Sequence, residues 1–235
     1  MRNLALMCVL AAACLLGCGG KDKDAKNKAV SAADTAVALP DTVASVFDTT
    51  TTFTDSRDGK VYRIVKIGRQ VWFAENLNYA AKGSKCYENK ADSCAKYGRL
   101  YNWETALKAC PAGTHLPDDD EWYTLRDYEG GRKTAGTKLK STGGWNKDGN
   151  GTDDYGFSAL PGAYYINSGS PYNWDDGYIG PGAIGIWWVS VADCAAIALN
   201  VLITYDNENL NVGGYDNRAL FSVRCVLDDE KERRK

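Results

Sequence analysis

The sequence predicts an α+β domain, and three observations carry that prediction. Two strand-like runs come first, within residues 61–73. Two segments with apolar residues at helical spacing follow, between residues 101 and 131. Three apolar, strand-like runs separated by turn residues then occupy the C-terminal part. Helices that are grouped together, rather than alternating with strands, indicate the α+β class with short antiparallel sheets.

Residues 1–17 have the pattern of a bacterial lipoprotein signal peptide. An uninterrupted apolar run extends from Leu4 to Leu16, which is shorter than the roughly 20 residues that a membrane helix needs. The run leads into Leu15-Leu16-Gly17-Cys18, which resembles the lipobox at which a cysteine is acylated. We therefore expect Cys18 to be lipidated and to anchor the mature protein to a membrane. The alternative is an ordinary signal peptide that ends near a cysteine.

Residues 18–52 are predicted to be a lipidated, flexible tether. They are rich in Ala, Thr, Asp, Val and Lys, and they have too little apolar surface to offset the entropy of ordering. The composition changes at Phe53, since every tryptophan and tyrosine lies beyond this residue. We therefore place one compact domain at residues 53–227, followed by a charged, frayed tail at residues 228–235.

The first elements of this domain are predicted to be two strands and a helix. Val61–Ile67 and Gln70–Phe73 have the composition of strands and are joined by the turn Gly68-Arg69. Tyr101–Ala109 has apolar residues on one face at helical spacing and is predicted to be the first helix.

A second helix is predicted from its capping residues. Asp118 is placed as the N-cap, and Glu121 three residues later completes a capping-box pattern. Apolar residues at helical spacing follow, and Gly130-Gly131 is a standard helix stop. After this stop the helix signals end.

The rest of the domain is predicted to combine long loops with three strands. The loops are rich in glycine and aromatic residues and cover Trp145–Gly156 and Tyr164–Gly182. The strand-like runs are Ile184–Val191, Ala195–Tyr205 and Arg218–Leu227. Asn- and Gly-rich turns separate these runs, so they are expected to pair antiparallel.

Charge and composition exclude several functions. The chain has 28 basic and 30 acidic residues, so a concentrated basic face for nucleic acid is not expected. Its single histidine, His115, rules against schemes that need several imidazoles. We predict no catalytic residue, no metal site and no cofactor.

Six sequence blocks follow one another in a characteristic order: Trp72–Leu77, Gly98–Trp103, Cys110–Trp122, Gly151–Gly162, Trp187-Trp188 and Ser222–Cys225. Taken together, they resemble the Fibrobacter succinogenes major paralogous domain. Thr114 departs from the tryptophan that this family commonly carries there. The resemblance implies a C-type-lectin-like fold, related to formylglycine-generating enzymes, in a secreted or surface-exposed bacterial protein. It carries over no catalytic residue.

The mature domain has five cysteines, and this odd number leaves at least one thiol without an intrachain partner. The resemblance implies a bond between Cys110 and Cys225, which would stabilise by roughly 4 to 5 kcal/mol in the chain-entropy model. Cys86 and Cys94 bracket a short polar loop and are expected to pair with each other. Cys194 is then left over. A zinc site is the alternative, but the sequence contains no CxxC pair to support it.

Three polar groups have simple structural interpretations. His115 is predicted to be a structural histidine bonded to backbone near a helix start, with a general base or metal ligand as the alternative. The acids at residues 118–121 complement a helix dipole, with a calcium site as second choice. Residues 146–151 resemble half of a calcium loop, but Phe157 replaces the glutamate required at the twelfth position. A turn explains this segment better.

The aromatic loop after residue 163 is the strongest functional lead. It carries Tyr164, Tyr165, Tyr172, Trp174 and Tyr178 among Gly, Pro, Asn and Asp. Through the resemblance, this segment corresponds to the long loop region where C-type lectins hold ligands. Flat rings can stack on the faces of sugars, and neighbouring polar groups can form hydrogen bonds with the sugar hydroxyls. The alternative is that these rings pack a glycine-rich loop onto the domain, and the sequence triplets of calcium-dependent lectins are absent.

These observations predict a lipid-anchored, non-catalytic binding module at the bacterial cell envelope, at the outer membrane or cell surface. Its partners would be the membrane, through the lipid, and a polysaccharide or a surface protein. Two alternatives stay open: an envelope structural protein without a small ligand, and an enzyme related to formylglycine-generating enzymes. Such an enzyme needs a reactive cysteine pair, whereas these cysteines are better used as structural bridges.

Overall fold

The computed structural model describes residues 51–166 and 177–229, all of which lie in one compact unit. Their architecture confirms the α+β class, with four α-helices and several small antiparallel sheets. The strands are β1 Thr52–Thr54, β2 Val61–Ile67, β3 Gln70–Phe73, β4 Thr114–His115, β5 Tyr164–Ile166, β6 Gly177–Ile179, β7 Ile184–Cys194, β8 Ile197–Thr204, β9 Asn211–Asp216 and β10 Val226–Leu227. The α-helices are α1 Ala91–Tyr97, α2 Trp103–Ala106, α3 Asp119–Tyr128 and α4 Arg132–Leu139.

One sheet joins the two ends of the domain. Its strand order is β1-β2-β3-β10-β4, and every neighbouring pair is antiparallel. The β2–β3 hairpin turns at Gly68, whose φ of 60° suits glycine. Val226 of β10 lies between Trp72 of β3 and His115 of β4. The C-terminal strand is therefore held between two strands from the first half of the domain.

A second sheet contains β7, β8 and β9 in that order. The β7 and β8 strands confirm two of the predicted runs, whereas the segment of β9 was predicted to be a turn and that prediction is wrong. Gly213 and Gly214 in β9 pair with Asn200 and Leu199 of β8. A Cβ on Gly214 would lie 2.8 Å from Cγ2 of Ile197, so this glycine permits close packing rather than a turn.

The helices agree with the sequence only where local signals were strong. Helix α3 has the predicted capping box between Asp118 and Glu121. Helix α2 is shorter than predicted, with Asn102 as its N-cap. Helices α1 and α4 were not predicted. Within the described part of the chain, no helix is long and apolar enough to cross a membrane.

The core consists of two apolar clusters that meet the second sheet on its opposite faces. Consecutive residues of β7 alternate between them, because side chains along a strand point to opposite sides. Trp187 packs with Trp122 and Val201 in one cluster. Trp188 packs with Phe221 in the other, at a ring separation of 4.2 Å.

A fully buried arginine connects the two sheets. The Nη1 group of Arg224 donates to the carbonyl oxygens of Phe73 and Phe157, while Nε and Nη2 donate to Oδ1 of Asn76. The same Asn76 oxygen accepts a hydrogen bond from Trp187. Burial lowers the pKa of Arg224 to about 9. Carbonyl and amide oxygens thus compensate the buried donors without a carboxylate in direct contact.

Candidate functional site

The structure confirms both predicted disulfides. Cys86 bonds to Cys94 with a Cα–Cα distance of 5.0 Å, and Cys110 bonds to Cys225 with a distance of 5.9 Å. Both distances lie within the usual range for disulfides. Cys194 is a free, half-buried thiol at the end of β7.

His115 lies between two carboxylates rather than against backbone groups, so its predicted partners were wrong. Its Nε2 is 2.9 Å from Oε1 of Glu121, and its Nδ1 is 2.6 Å from Oδ1 of Asp228. The hydrogen bond to Glu121 has the largest effect, and together these contacts raise the pKa of His115 to about 9. The imidazolium therefore links the start of α3 to the end of the C-terminal strand.

The two possible calcium segments are explained by local hydrogen bonding. Glu121 and Asp118 satisfy each other's backbone in the capping box. In the loop after α4, Oδ1 of Asn150 accepts from the backbone of Trp145, and Lys147 has a positive φ of 49°. Within residues 51–166 and 177–229, no cluster of three or more His, Cys, Asp or Glu side chains could hold a metal ion.

The predicted aromatic residues separate into an inward and an outward set. Tyr164 packs against Phe221, at a ring separation of 5.8 Å, and contributes to a core cluster. Tyr165 points the opposite way and meets Tyr178 of β6, at a ring separation of 4.9 Å and an angle of 68°. Tyr172 and Trp174 lie outside the described residues.

A third tyrosine completes what we call the tyrosine patch, Tyr87, Tyr165 and Tyr178. The Tyr87 ring lies 5.4 Å from that of Tyr178, at 80° to it. All three residues are half-buried, and none belongs to either core cluster. The hydroxyl of Tyr178 donates to Oδ1 of the exposed Asn89, at 3.3 Å. The patch therefore combines partly exposed ring surface with hydroxyl and amide groups.

The Cys86–Cys94 disulfide closes the loop that supplies Tyr87 and Asn89. Arg99 holds this loop from the other side, because its Nε donates to Oγ of Ser84 and its Nη1 lies 3.6 Å from Sγ of Cys86. The same Nη1 is 3.7 Å from Sγ of Cys94. The disulfide and Arg99 together fix one side of the tyrosine patch.

A polar cleft of about 530 Å³ forms a second recess in the described part of the domain. Its size suits a small ligand, but three of its charged groups already have partners. Arg63 pairs with Glu75 at 3.1 Å. Asp153 accepts hydrogen bonds from both the backbone and the hydroxyl of Ser158.

Sequence reasoning missed Lys85, Tyr87 and Asn89 as neighbours of the aromatic loop. They lie far from β5 and β6 along the chain, so no local pattern connects the two segments. The cysteines at 86 and 94 were the available signal, since a short disulfide loop fixes the residues inside it. The ring of Tyr87 could have been added to the predicted site on that ground.

The protein thus contains a disulfide-stabilised α+β domain with an aromatic surface patch. Residues 65–227 match the model of the Fibrobacter succinogenes major domain, which is more than half of the chain. The protein therefore belongs to this family, and membership indicates a surface or envelope protein. No curated protein and no solved structure matches the chain. The relation to C-type-lectin-like and formylglycine-generating folds accordingly stays a prediction.

Proposed function

We propose that this protein is a lipid-anchored, non-catalytic module that binds polysaccharide at the cell envelope. The observation that carries the proposal is the tyrosine patch, whose rings are half-buried but lie outside both core clusters. Rings that only served to pack a loop would be expected to join the core. Tyr164 does join it, and it provides the internal comparison.

The chemistry of the patch suits sugars better than purely apolar ligands. A sugar ring has apolar C–H faces and hydroxyl edges, and a binding site for it combines aromatic rings with a few polar groups. The patch provides three rings, the hydroxyl of Tyr178 and the amide of Asn89. Polysaccharides are abundant at cell surfaces, where a surface protein with such a patch could bind them.

The non-catalytic part of the proposal is supported by the side chains that enzymes of related fold would need. Cys86, Cys94, Cys110 and Cys225 are all consumed in disulfides. His115 is engaged by carboxylates on both ring nitrogens. The described residues therefore contain neither a reactive cysteine pair nor an imidazole without a bonded partner.

Anchoring through Cys18 is a further part of the proposal. The lipobox-like end of the apolar run supports it, and the tether of residues 18–52 would separate the domain from the membrane. We place the protein at the outer membrane or cell surface, and the lipobox-like sequence and the membership of a surface-protein family support this position.

A glycan-binding screen of the detergent-solubilised, full-length protein tests the proposal. Tyr178→Ala should weaken binding about two- to tenfold, because aromatic contacts are worth about 0.5 to 1.5 kcal/mol. Tyr155→Ala is the matched control, since Tyr155 forms an exposed edge-to-face pair with Tyr128 elsewhere on the domain. Absence of glycan binding, or an equal effect of both substitutions, would favour a purely structural envelope protein.

A further inference from the structure

Lys85 places a positive charge at the edge of the tyrosine patch. Its Nζ lies 4.5 Å from the centroid of the Tyr165 ring. Its backbone is fixed by two hydrogen bonds with Leu100, of 2.9 and 2.8 Å, and it immediately precedes the disulfide residue Cys86. The ammonium is therefore attached to a well-held segment rather than to a loose surface turn.

The charge of Lys85 has no carboxylate partner in the described part of the chain. The nearest acid along the loop, Glu88, pairs with Lys90 instead. An aromatic face attracts a cation but replaces only part of its hydration. Among the described residues, no acid competes with a ligand carboxylate for this half-buried cation beside the rings.

The surrounding segment is also more basic than the chain as a whole. The chain carries a net charge of −2, with acids in slight excess. Residues 82–99 reverse this balance with the basic residues Lys82, Lys85, Lys90, Lys96 and Arg99 against the acidic residues Glu88 and Asp92. A local positive field raises the local concentration of anionic ligands.

We infer that the polysaccharide bound by the patch is acidic, and that Lys85 binds the carboxylate of a uronic-acid residue. This inference rests on the proposed function and deepens it. The tyrosines contact the sugar ring, while Lys85 supplies the charge that distinguishes a uronate from the corresponding neutral sugar. Lys85 is then the residue that determines specificity, and the rings determine that a sugar is bound at all.

The test uses the full-length, detergent-solubilised protein with polygalacturonate and its fully methyl-esterified form. The two polymers share a backbone and differ in charge. The wild-type protein should bind the acid form about tenfold more tightly, the scale of a charge-assisted hydrogen bond. Lys85→Gln should remove this preference by weakening binding of the acid form about tenfold, whereas Lys85→Arg should retain it.

Lys96→Gln is the matched control, since Lys96 lies in the same basic segment but is exposed and contacts Tyr97 instead. Unsubstituted linear xylan and cellulose are included as neutral polymers. Equal binding of acid and ester, or a preference that survives Lys85→Gln, overturns the inference but leaves the proposed function standing. Failure to bind any of the four polymers overturns both.

Discussion

The buried carboxylate of Glu129 should make the domain less stable as the pH rises. Glu129 follows the last residue of α3 and has no exposed surface. Neither of its carboxylate oxygens has a hydrogen-bond partner in the described residues. An ionised carboxylate is costly in such a place, because nothing replaces its lost hydration. We therefore expect the folded protein to hold Glu129 in its neutral form at mildly acidic pH.

Burial raises the pKa of Glu129 from its ordinary 4.5 to about 7, despite a weaker opposing effect of Lys138 and with a small contribution from Asp154. Below pH 4.5 the folded and unfolded chains both hold the proton, so the full stability is present. Between pH 4.5 and 7 only the folded chain holds it, and stability falls with rising pH. The total loss is about 3 kcal/mol, since one pKa unit corresponds to about 1.4 kcal/mol.

The assay is urea unfolding with the disulfides intact, at a series of pH values from about 4 to 10. Glu129→Gln should flatten the curve between pH 4.5 and 7 and leave the higher range unchanged. His115 acts in that higher range: its pKa is raised from 6.5 to about 9, so its stabilisation is complete below 6.5 and is lost as the pH rises through 9. His115→Gln should therefore flatten only the alkaline part.

Glu104→Gln provides the control, because Glu104 is exposed in the first turn of α2. It should leave the shape of the curve unchanged. If the wild-type protein is equally stable at pH 4.5 and 7, or if Glu129→Gln keeps the original slope, then the carboxylate is solvated and the reasoning fails.

Three further outcomes follow from the sequence and the structure. Cys18→Ala should release the protein from membranes, and a variant found wholly in the membrane fraction would contradict lipidation at this residue. Replacing Cys86 and Cys94 by serine should weaken glycan binding more strongly than it destabilises the domain. Binding isotherms and melting curves measure these two effects. Gly136→Ala should destabilise by about 1 to 3 kcal/mol in urea unfolding, because its Cβ would lie 2.6 Å from the carbonyl oxygen of Glu208; unchanged or increased stability would show that α4 can shift.

The sequence predicted those elements whose signals are local. The capping box between Asp118 and Glu121 lies within one helical turn, and the predicted helix start is the observed one. Helix α4 was missed because Gly136 weakens its helical pattern, yet that glycine lies where the helix backbone approaches Glu208. Strand β9 was also missed because of its glycines, which are typical of a turn. In the structure, however, Gly214 allows close contact with Ile197. The close approach of two distant segments has no signature in either segment alone.

The candidate site shows the same division between local and long-range information. Tyr165 and Tyr178 were predicted as ligand-binding candidates because they share one aromatic segment. Tyr87 and Lys85 reach the same surface only through the fold, in which β6 lies beside the disulfide loop. A sequence pattern can identify a stacking surface, but here it could not identify the charge that would set its specificity.

The position of the Cys86–Cys94 bond connects the stability of the domain with its proposed binding. The bond spans only eight positions along the chain, so it restricts the unfolded chain less than the Cys110–Cys225 bond does. Its structural consequence is local: it fixes the loop whose Tyr87 ring and Asn89 amide meet Tyr178. A short disulfide at this place is therefore better explained by the geometry of the patch than by global stability. Such a bond persists in the oxidising surroundings of an exported protein, where an envelope polysaccharide would be met.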